Sequence, residues 1–500
     1  MSQEKSESDA AQKAPSSRKL FLSVFPSIMI PMFLAIVDQT IVATALPTIA
    51  SELGDVERVS WVVVSYLIAT TIAAPVYGYL GDTFGRRRLM FFALGLFFAS
   101  SLLCAATPTV LLLSAARVLQ GFGGGGLITL SQAMIGEVIP PRERGNYQGY
   151  LATVAITSAA FGPVAGGWIT EHLGWRMVFL VNAPLCIIAV LMVFRLKGMA
   201  SVRAHGWRFD VLGLVYFIGF ILPLLLALEQ AQHFDERAIG VILGLLALSL
   251  VSLVLLLRQE SRETAPLLSI NLLRRAAIWQ ANALAACHGA ALTALVSFVP
   301  IYLRVVRGTS PSQTGYLLLP ITAGIGIGAI LTGRMVSRTG LTMFFPSVGL
   351  VFASLTLFTF ALAAPVMTLG QISLLLTVNS LFMGSVMGVV QITTQTAAGP
   401  KMLGASAAAV QFSRSIGAAL GTALLGALLF AHLRVSDPEA AALFGRAVEL
   451  GPEAFAGIDA ARREILQKEV ADAFRLAFMA LGVFTSVGMV LAWSNPMRRV

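Results

Sequence analysis

Charged residues are scarce in this sequence. Asp, Glu, Lys and Arg make up only 12% of its 500 residues, whereas 57% of the residues are hydrophobic. Soluble domains carry about 25% charged residues, so this composition excludes an ordinary soluble fold. The apolar residues gather in runs of roughly 20, the length that crosses about 30 Å of hydrocarbon. The sequence therefore predicts an all-α membrane protein that crosses the lipid bilayer many times.

Cysteine is also scarce, with three residues in the whole chain. Cys104, Cys186 and Cys287 each lie alone in an apolar run. Their isolation excludes a disulfide framework and the paired spacing of a cysteine metal site. We predict no metal and no cofactor.

Acidic residues are fewer than basic ones, and the net charge is +10. Such an excess can indicate nucleic acid binding, but these basic residues lie mostly in short loops after every second apolar run, where Lys and Arg set membrane orientation. They include Arg86, Arg87, Arg88, Arg142, Arg144, Arg274, Arg275, Arg334, Arg338, Lys401, Arg498 and Arg499. The alternation predicts that both termini are cytoplasmic, and we expect no nucleic acid partner.

Fourteen apolar runs are long enough to span a membrane. The predicted spans are 21–48, 59–81, 88–107, 109–137, 146–171, 176–195, 210–229, 238–257, 277–303, 313–335, 342–362, 367–396, 405–432 and 472–493. Residues 1–19 are polar and predict a disordered cytoplasmic tail. Residues 434–471 predict an external loop, and the stretch 461–474 within and beyond it predicts a short amphipathic helix.

Two motifs would indicate an enzyme in another context. GFGGGG at 121–126 matches the glycine pattern of a dinucleotide site, and HGWRFD at 205–210 contains the His-x-x-x-x-Asp spacing of acyltransferases. The first lies inside an apolar span, without the preceding strand that a dinucleotide motif needs. The second is a basic loop that leads into Asp210, whose carboxylate suits the start of a helix. We therefore do not expect an enzyme.

Asp38 lies inside the first apolar run, in the stretch AIVDQTIVATALP. A carboxylate at membrane depth costs about 2.5–3.5 kcal/mol and is usually functional. Counting along helices places Asp38 and Arg117 at similar depths, because each lies about 12–15 Å from the outer end of its span. A carboxylate between the opposed effects of burial and a nearby cation can load and release protons. The alternatives are a docking point for a cationic substrate and a permanent structural ion pair.

Four motifs resemble signatures of the major facilitator superfamily, specifically its 14-helix drug:proton antiporter branch. They occur in the expected order on the first, second, fourth and fifth spans: VDQTIVATALP (37–47), GYLGDTFGRRR (78–88), RVLQGFGGGG (117–126) and AFGPVAGG (160–167). The stretches WRMVFLVNAPL (175–185) and QFSR (411–414) also fit. A weaker copy of the second motif, GRMVSRTG (333–340), has Ser337 in place of an acidic residue, and such repeats indicate duplicated halves.

The resemblance implies the major facilitator fold, in which two six-helix bundles at about 20–198 and 263–500 flank a pair of inserted helices at about 199–262. It also implies alternating access about a central site. Asp38 and Arg117 would couple proton movement to transport. A conformational latch would comprise Gly78, Asp82, Gly85, Arg86 and Arg87. An antiporter hinge would comprise Gly162, Pro163, Gly166 and Gly167. The plainer interpretations are orientation signalling by the arginines and close packing by the glycines.

Substrate contacts are harder to predict, because polar side chains in a helix bundle often only hydrogen-bond between helices. We expect Tyr66, Phe298, Gln391 and Arg414 to contact substrate, whereas Glu229 lies near a helix end, where its carboxylate can reach water.

The predicted function is proton-coupled export of amphipathic or cationic drugs across the plasma (inner) membrane by a monomer. The alternatives are an exporter of one lipid or natural product and a non-transporting sensor or scaffold. A periplasmic adaptor protein is a further candidate partner.

Overall fold

The computed structural model describes residues 17–55, 58–196, 209–233, 239–263, 266–437, 441, 444 and 460–499. Within these residues, 14 helices are long and apolar enough to cross a membrane. The predicted all-α class and the number of spans are confirmed. Most of the predicted tail at 1–19, and most of the predicted loop at 434–471, lie outside the described residues.

We label the spanning helices α1–α14 in chain order. The first six are α1 Ser17–Leu53, α2 Trp61–Phe84, α3 Arg86–Ala106, α4 Val110–Val138, α5 Arg144–Leu173 and α6 Arg176–Phe194, the last with a break at Val181. The next two are α7 Val211–His233 and α8 Ile239–Glu260. The last six are α9 Ala276–Val305, α10 Pro311–Thr339, α11 Phe344–Ala363, α12 Leu369–Ala398, α13 Leu403–Ser436 and α14 Ala460–Ser494.

The helix ends follow from local sequence. Gly85 has a φ of 95° and joins α2 to α3 in a conformation that favours glycine. Ser310 and Thr368 each form a capping box, so the first backbone N–H groups of α10 and α12 have side-chain acceptors. These signals allow the chain to reverse direction in loops of only a few residues.

The buried apolar side chains form separate cores in the two halves of the chain. One half contains α1–α6, with core residues between Phe25 and Leu196. The other contains α9–α14, with core residues between Ala281 and Ala492. This is the predicted arrangement of two six-helix bundles.

The inserted helices α7 and α8 pack against each other and lie beside the seam between the halves. Helix α7 contacts α2 of the first half and α13 of the second. The ring of Phe217 on α7 lies 5.2 Å from that of Phe412 on α13. Asp210 caps α7 by accepting a 2.7 Å hydrogen bond from the Gly213 N–H, the helix-start position expected from the sequence. The pair therefore touches both halves.

The two halves meet closely at the end of the bundle that carries Arg86–Arg88 and Lys401, which we call the basic end. Gly78 on α2 lies against Gly404 and Ala408 on α13, where a Cβ would come within 2.7 Å of the Gly404 oxygen. Gly145 on α5 lies against Gly333 on α10. Backbones approach this closely only where side chains are absent. The halves are thus closed against each other at the basic end.

The last helix begins earlier than predicted. Residues 460–471 form the first turns of α14 instead of belonging to an external loop with a separate amphipathic helix. Leu466, Val470 and Phe474 recur at helical spacing and are buried, whereas the charged residues of the same turns lie on other faces. Those charges lower the average hydropathy, which is why the predicted span begins only at residue 472.

Tyr302 provides a test of the packing in the second half. Its buried ring contacts Phe360, Phe474 and Phe478 at centroid distances of 5.4–5.8 Å. We expect Tyr302→Ala to lower the free energy of unfolding by about 3 kcal/mol, because it leaves a cavity among these rings. Tyr316→Ala is the matched control, since Tyr316 is 73% exposed. Denaturant titration in mixed micelles measures both, and equal effects would contradict this packing.

Candidate functional site

Asp38 and Arg117 form an ion pair inside the first half. The Arg117 Nη1 atom lies 2.5 Å from the Asp38 Oδ2 atom, and both side chains have 0% exposure. Asp38 is on α1 and Arg117 is on α4, so the pair joins two helices at the similar depths that counting residues predicts. Two opposite charges buried together avoid the large cost that either would incur alone.

Two amides complete the environment of Asp38. The Gln120 side chain donates a 2.9 Å hydrogen bond to Asp38 Oδ1, and the Asn182 side chain donates one of 2.6 Å to the same oxygen. Ser101 on α3 accepts a hydrogen bond from Gln120. Helices α1, α3, α4 and α6 thus contribute to one polar cluster. Gln120, Asn182 and Ser101 are not among the predicted site residues, although each interrupts an apolar run.

Arg117 has further partners, and one of them is Tyr66, a predicted substrate contact. Its Nη1 also donates to Gln120, and its Nε donates a 3.0 Å hydrogen bond to the Val62 carbonyl. Its guanidinium lies 4.1 Å from the centre of the Tyr66 ring, a cation–π contact. Tyr66 is fully buried and donates its hydroxyl to the Ala35 carbonyl, so in this structure its ring packs against Arg117, and its contact with substrate stays a prediction.

The glycines of the predicted hinge lie next to this cluster. Helix α5 approaches α1 at Gly162 and Gly166, where a Cβ would collide with Thr40 and Ile41. Pro163 lies between them inside an unbroken α5, and a Cβ at Gly167 would meet no atom within 4 Å. Gly162 and Gly166 therefore allow α5 to pack directly beside the turn of α1 that follows Asp38.

The predicted latch residue Asp82 crosses between the halves at the basic end. Its two carboxylate oxygens accept hydrogen bonds of 2.8 and 2.9 Å from the Gly404 and Ala405 N–H groups, at the start of α13. A carboxylate at a helix N-terminus is favoured by the helix dipole. Arg86 bonds to Asp82 and also pairs with Glu137 at 2.5 Å. Asp82 thus caps a helix of the opposite half, with Arg86 holding it in place.

Of the remaining latch residues, Gly78 lies at the contact between the halves, whereas Gly85 and Arg87 act within the first half. Arg87 donates hydrogen bonds to the carbonyls of Val193 and Phe194 at the end of α6. Gly85 forms the turn that aims Asp82 and Arg86. In the second copy of the motif, the Ser337 hydroxyl accepts a 3.1 Å hydrogen bond from the Asn146 N–H. Both copies therefore lie at contacts between the halves, with an acidic residue in one and a hydroxyl in the other.

A cavity of about 370 Å³ lies between the halves on the other side of this closure. Its lining includes Gln39, Ile128, Thr293, Gln411 and Thr422. Gln39 follows Asp38 directly, so α1 presents Asp38 to the ion pair and the next residue, Gln39, to the cavity. A larger cavity of about 550 Å³ lies at the basic end beside Asp82 and Lys401, away from the ion pair.

The other predicted substrate contacts, Phe298, Gln391 and Arg414, are not among the residues that line this cavity. Arg414 on α13 donates a hydrogen bond to Gln411, which does line it. Gln391 is buried on α12, and its side-chain nitrogen has no partner in the described structure. Phe298 is partly buried against the core of the second half. Of the three, Arg414 is the one linked to the cavity by a hydrogen bond.

Comparison with known proteins identifies the family. The model of the Major Facilitator Superfamily matches residues 28–422. The chain belongs to the major facilitator superfamily. This family consists of transporters and not of enzymes, and the predicted family resemblance is confirmed. The matched residues include the ion pair, the latch and the cavity.

Relatives include transporters of several kinds. An uncharacterized MFS-type transporter of Mycobacterium tuberculosis is 33% identical over 409 residues, which cover 81% of this chain and 59% of that protein. The chain thus aligns with less than two thirds of that relative's length. The multidrug transporter protein MdtP of Bacillus subtilis is 30% identical over 418 residues, which cover 83% of this chain and 76% of MdtP.

Solved structures of the superfamily share the fold at low sequence identity. The human organic anion transporter MFSD10 has a TM-score of 0.64 and 13% identity, covering 96% of this chain and 100% of that one. The proton:xylose symporter XylE has a TM-score of 0.62 and 14% identity, covering 96% of each chain. At such identity these structures establish the fold alone.

The ion pair provides a test of the polar cluster. We expect Arg117→Leu to lower the free energy of unfolding by about 3–5 kcal/mol, because it leaves Asp38 buried without its cation. The double variant Asp38→Asn/Arg117→Leu should lose less free energy of unfolding than Arg117→Leu alone. Arg176→Leu, which breaks an exposed pair with Glu52, should cost under about 1 kcal/mol. Denaturant titration of the wild type, Asp38→Asn, Arg117→Leu and the double variant measures the coupling, and additive effects of the two substitutions would contradict the pairing.

The cap between the halves gives a separate test. Asp82→Asn removes the charge that binds the first turn of α13, so hydrogen exchange at residues 403–408 should accelerate at least severalfold. Arg87→Gln is the control, because its contacts lie within the first half and its effect should be confined to residues 192–196. Exchange followed by mass spectrometry measures both. Unchanged exchange in Asp82→Asn would show that the cap does not hold the two halves together.

Proposed function

We propose that the transporter is a proton-coupled antiporter that exports amphipathic or cationic drugs and toxic compounds by alternating access. The observation that carries this proposal is the fully buried ion pair of Asp38 and Arg117, directly beside the α1 surface that lines the cavity. Buried ionisable residues in membrane helices are costly and commonly serve proton or ion pathways.

Proton binding at Asp38 would change the forces within the cluster. A neutral Asp38 no longer compensates Arg117, whose Nη2 atom has no partner in the described residues. The Arg117 charge then requires a new arrangement, since an uncompensated buried cation is strongly unfavourable. Helix α5 contacts α1 at Thr40, half a turn beyond Asp38, and it contacts α10 at Gly145. A shift of α1 is thereby transmitted to the seam between the halves.

The orientation follows from the loop charges. With Lys and Arg on the cytoplasmic side, the basic end faces the cytoplasm and both termini lie there, as expected for a plasma (inner) membrane protein. The structure then represents a state closed to the cytoplasm. Opening to the cytoplasm requires that Gly78 and Gly404 separate and that Asp82 release α13. One chain forms the whole cavity, which fits a monomer.

Drug export is supported by the relatives. Besides MdtP, the Multidrug resistance protein 3 of Bacillus subtilis is 30% identical over 307 residues, covering 61% of this chain and 60% of that protein. The cavity lining mixes aliphatic residues with Thr and Gln side chains, a surface suited to amphipathic molecules.

Export of one natural product is the alternative, and a relative favours it. The Acurin A biosynthesis cluster MFS-type transporter of Aspergillus aculeatus is 28% identical over 367 residues, covering 72% of this chain and 66% of that protein. The breadth of substrates in a growth-resistance assay distinguishes the two functions. Resistance to several unrelated compounds supports drug export, and resistance to a single class supports the alternative.

Proton coupling is tested on the purified protein. Adding a transported compound to weakly buffered detergent solution should release protons from the wild type, and Asp38→Asn should release at least tenfold fewer. Asp55→Asn is the control, because Asp55 is a partly exposed loop residue that pairs only loosely with Arg58. A pH-sensitive dye measures the release. Undiminished release from a folded Asp38→Asn protein would refute the role of Asp38.

A further inference from the structure

The inserted helix α7 forms part of the cavity between the halves. Leu225, Leu228 and Glu229 on α7 line this cavity together with residues of α1, α2, α4, α9 and α13. Helix α7 reaches it because it packs against α2 and α13, one helix from each half. Helix α7 is therefore part of the cavity wall and not only an external addition to the fold.

Glu229 is the charged residue among the described residues that line this cavity. Its carboxylate has no ion pair and no hydrogen bond within the described structure. It lies four residues before the end of α7, or about 6 Å along the helix axis. Val64, three residues into α2, lines the cavity at a similar distance from the same end. Glu229 thus lies near the end of the cavity opposite the basic end, and none of the described residues pairs with its carboxylate.

Asp38 is not available for substrate in this state. Its oxygens are occupied by Arg117, Gln120 and Asn182, and its side chain is fully buried. Among the described lining residues, the carboxylate that a cation in the cavity meets is that of Glu229. The aliphatic side chains of Leu67, Ile68 and Leu225 provide apolar surface deeper in the same cavity.

We propose that Glu229 is a specificity-determining residue that selects organic cations, with α7 forming a wall of the substrate site. This inference rests on the proposed export function and adds the residue that would recognise the charge. An amphipathic cation fits such a site, because its charge can lie beside Glu229 while its apolar part contacts the aliphatic wall. A charge pair at a partly exposed site changes affinity by a modest factor, so Glu229 should tune selectivity without being needed for folding.

The sequence favours a plainer role for Glu229, in which its carboxylate reaches water at a helix end. The two roles differ in what they require. If the Glu229 carboxylate only reaches water, its substitution affects the binding of charged and uncharged substrates alike. If the carboxylate recognises charge, its substitution weakens the binding of cations and leaves the binding of neutral molecules of similar shape unchanged.

The test compares two probes on purified full-length protein. Tetraphenylphosphonium carries a permanent positive charge, and triphenylphosphine oxide is uncharged with similar aromatic groups. We expect Glu229→Gln to raise the Kd for tetraphenylphosphonium roughly five- to tenfold and to leave that for triphenylphosphine oxide unchanged. Glu229→Asp should retain most of the cation affinity. Equal Kd values for tetraphenylphosphonium in wild type and Glu229→Gln would overturn the proposal.

Glu171→Gln is the matched control for charge. Glu171 is an exposed carboxylate two residues before the end of α5, at the same end of the bundle but outside the cavity lining. Its loss changes the net charge equally, so an equal effect on tetraphenylphosphonium would reveal general electrostatic attraction and overturn the role of Glu229. Thermal unfolding of each variant verifies folding.

The wall itself is tested by Leu225→Trp, which adds volume on α7 without changing charge. We expect it to weaken binding of both probes, and unchanged binding would remove α7 from the site. Failure of the export function gives a different result from failure of this inference. In the first case the wild type binds neither probe. In the second it binds both, and Glu229→Gln binds tetraphenylphosphonium as the wild type does.

Discussion

A buried charge pair constrains the first half of this transporter more than any other interaction. In hydrocarbon no water is available to solvate Asp38 or Arg117, so every hydrogen bond that the pair needs must come from the protein. Helix α4 supplies the arginine and Gln120, α6 supplies Asn182, and α2 supplies the Val62 carbonyl. The contacts of one carboxylate and one guanidinium therefore constrain how these helices are placed around α1.

Small residues impose a second constraint, on the approach of helices to one another. Gly162 and Gly166 bring α5 against α1, and Gly145 and Gly333 bring α5 against α10. Helix α5 is consequently in close contact with the helix that carries Asp38 and with the opposite half. Because apolar side chains gain little by leaving lipid for protein, packing of this closeness is a main source of helix association in membranes.

The membrane spans and the ion pair could be predicted from the sequence because both depend on the positions of residues along single helices. Helix length and depth follow from counting residues, and Asp38 and Arg117 are conspicuous as charges within apolar runs. Tyr66 and Glu229 show the limit of such reasoning. Whether a side chain faces a cavity or a neighbouring helix depends on how helices distant in sequence pack, which counting along one helix does not determine. The predicted proton, latch and hinge roles remain predictions, although the structure shows the contacts on which they would act.

The position of α7 has a mechanical consequence. Its contact with α13 through Phe217 and Phe412 is apolar, and its contacts with α2 lie in the same apolar cluster. A helix that touches both halves cannot move rigidly with both when the halves rotate apart. One of its two interfaces must therefore slide, and apolar surfaces can slide without breaking directional bonds. The inserted pair would then cover the seam between α2 and α13 and keep lipid out of it while the halves move.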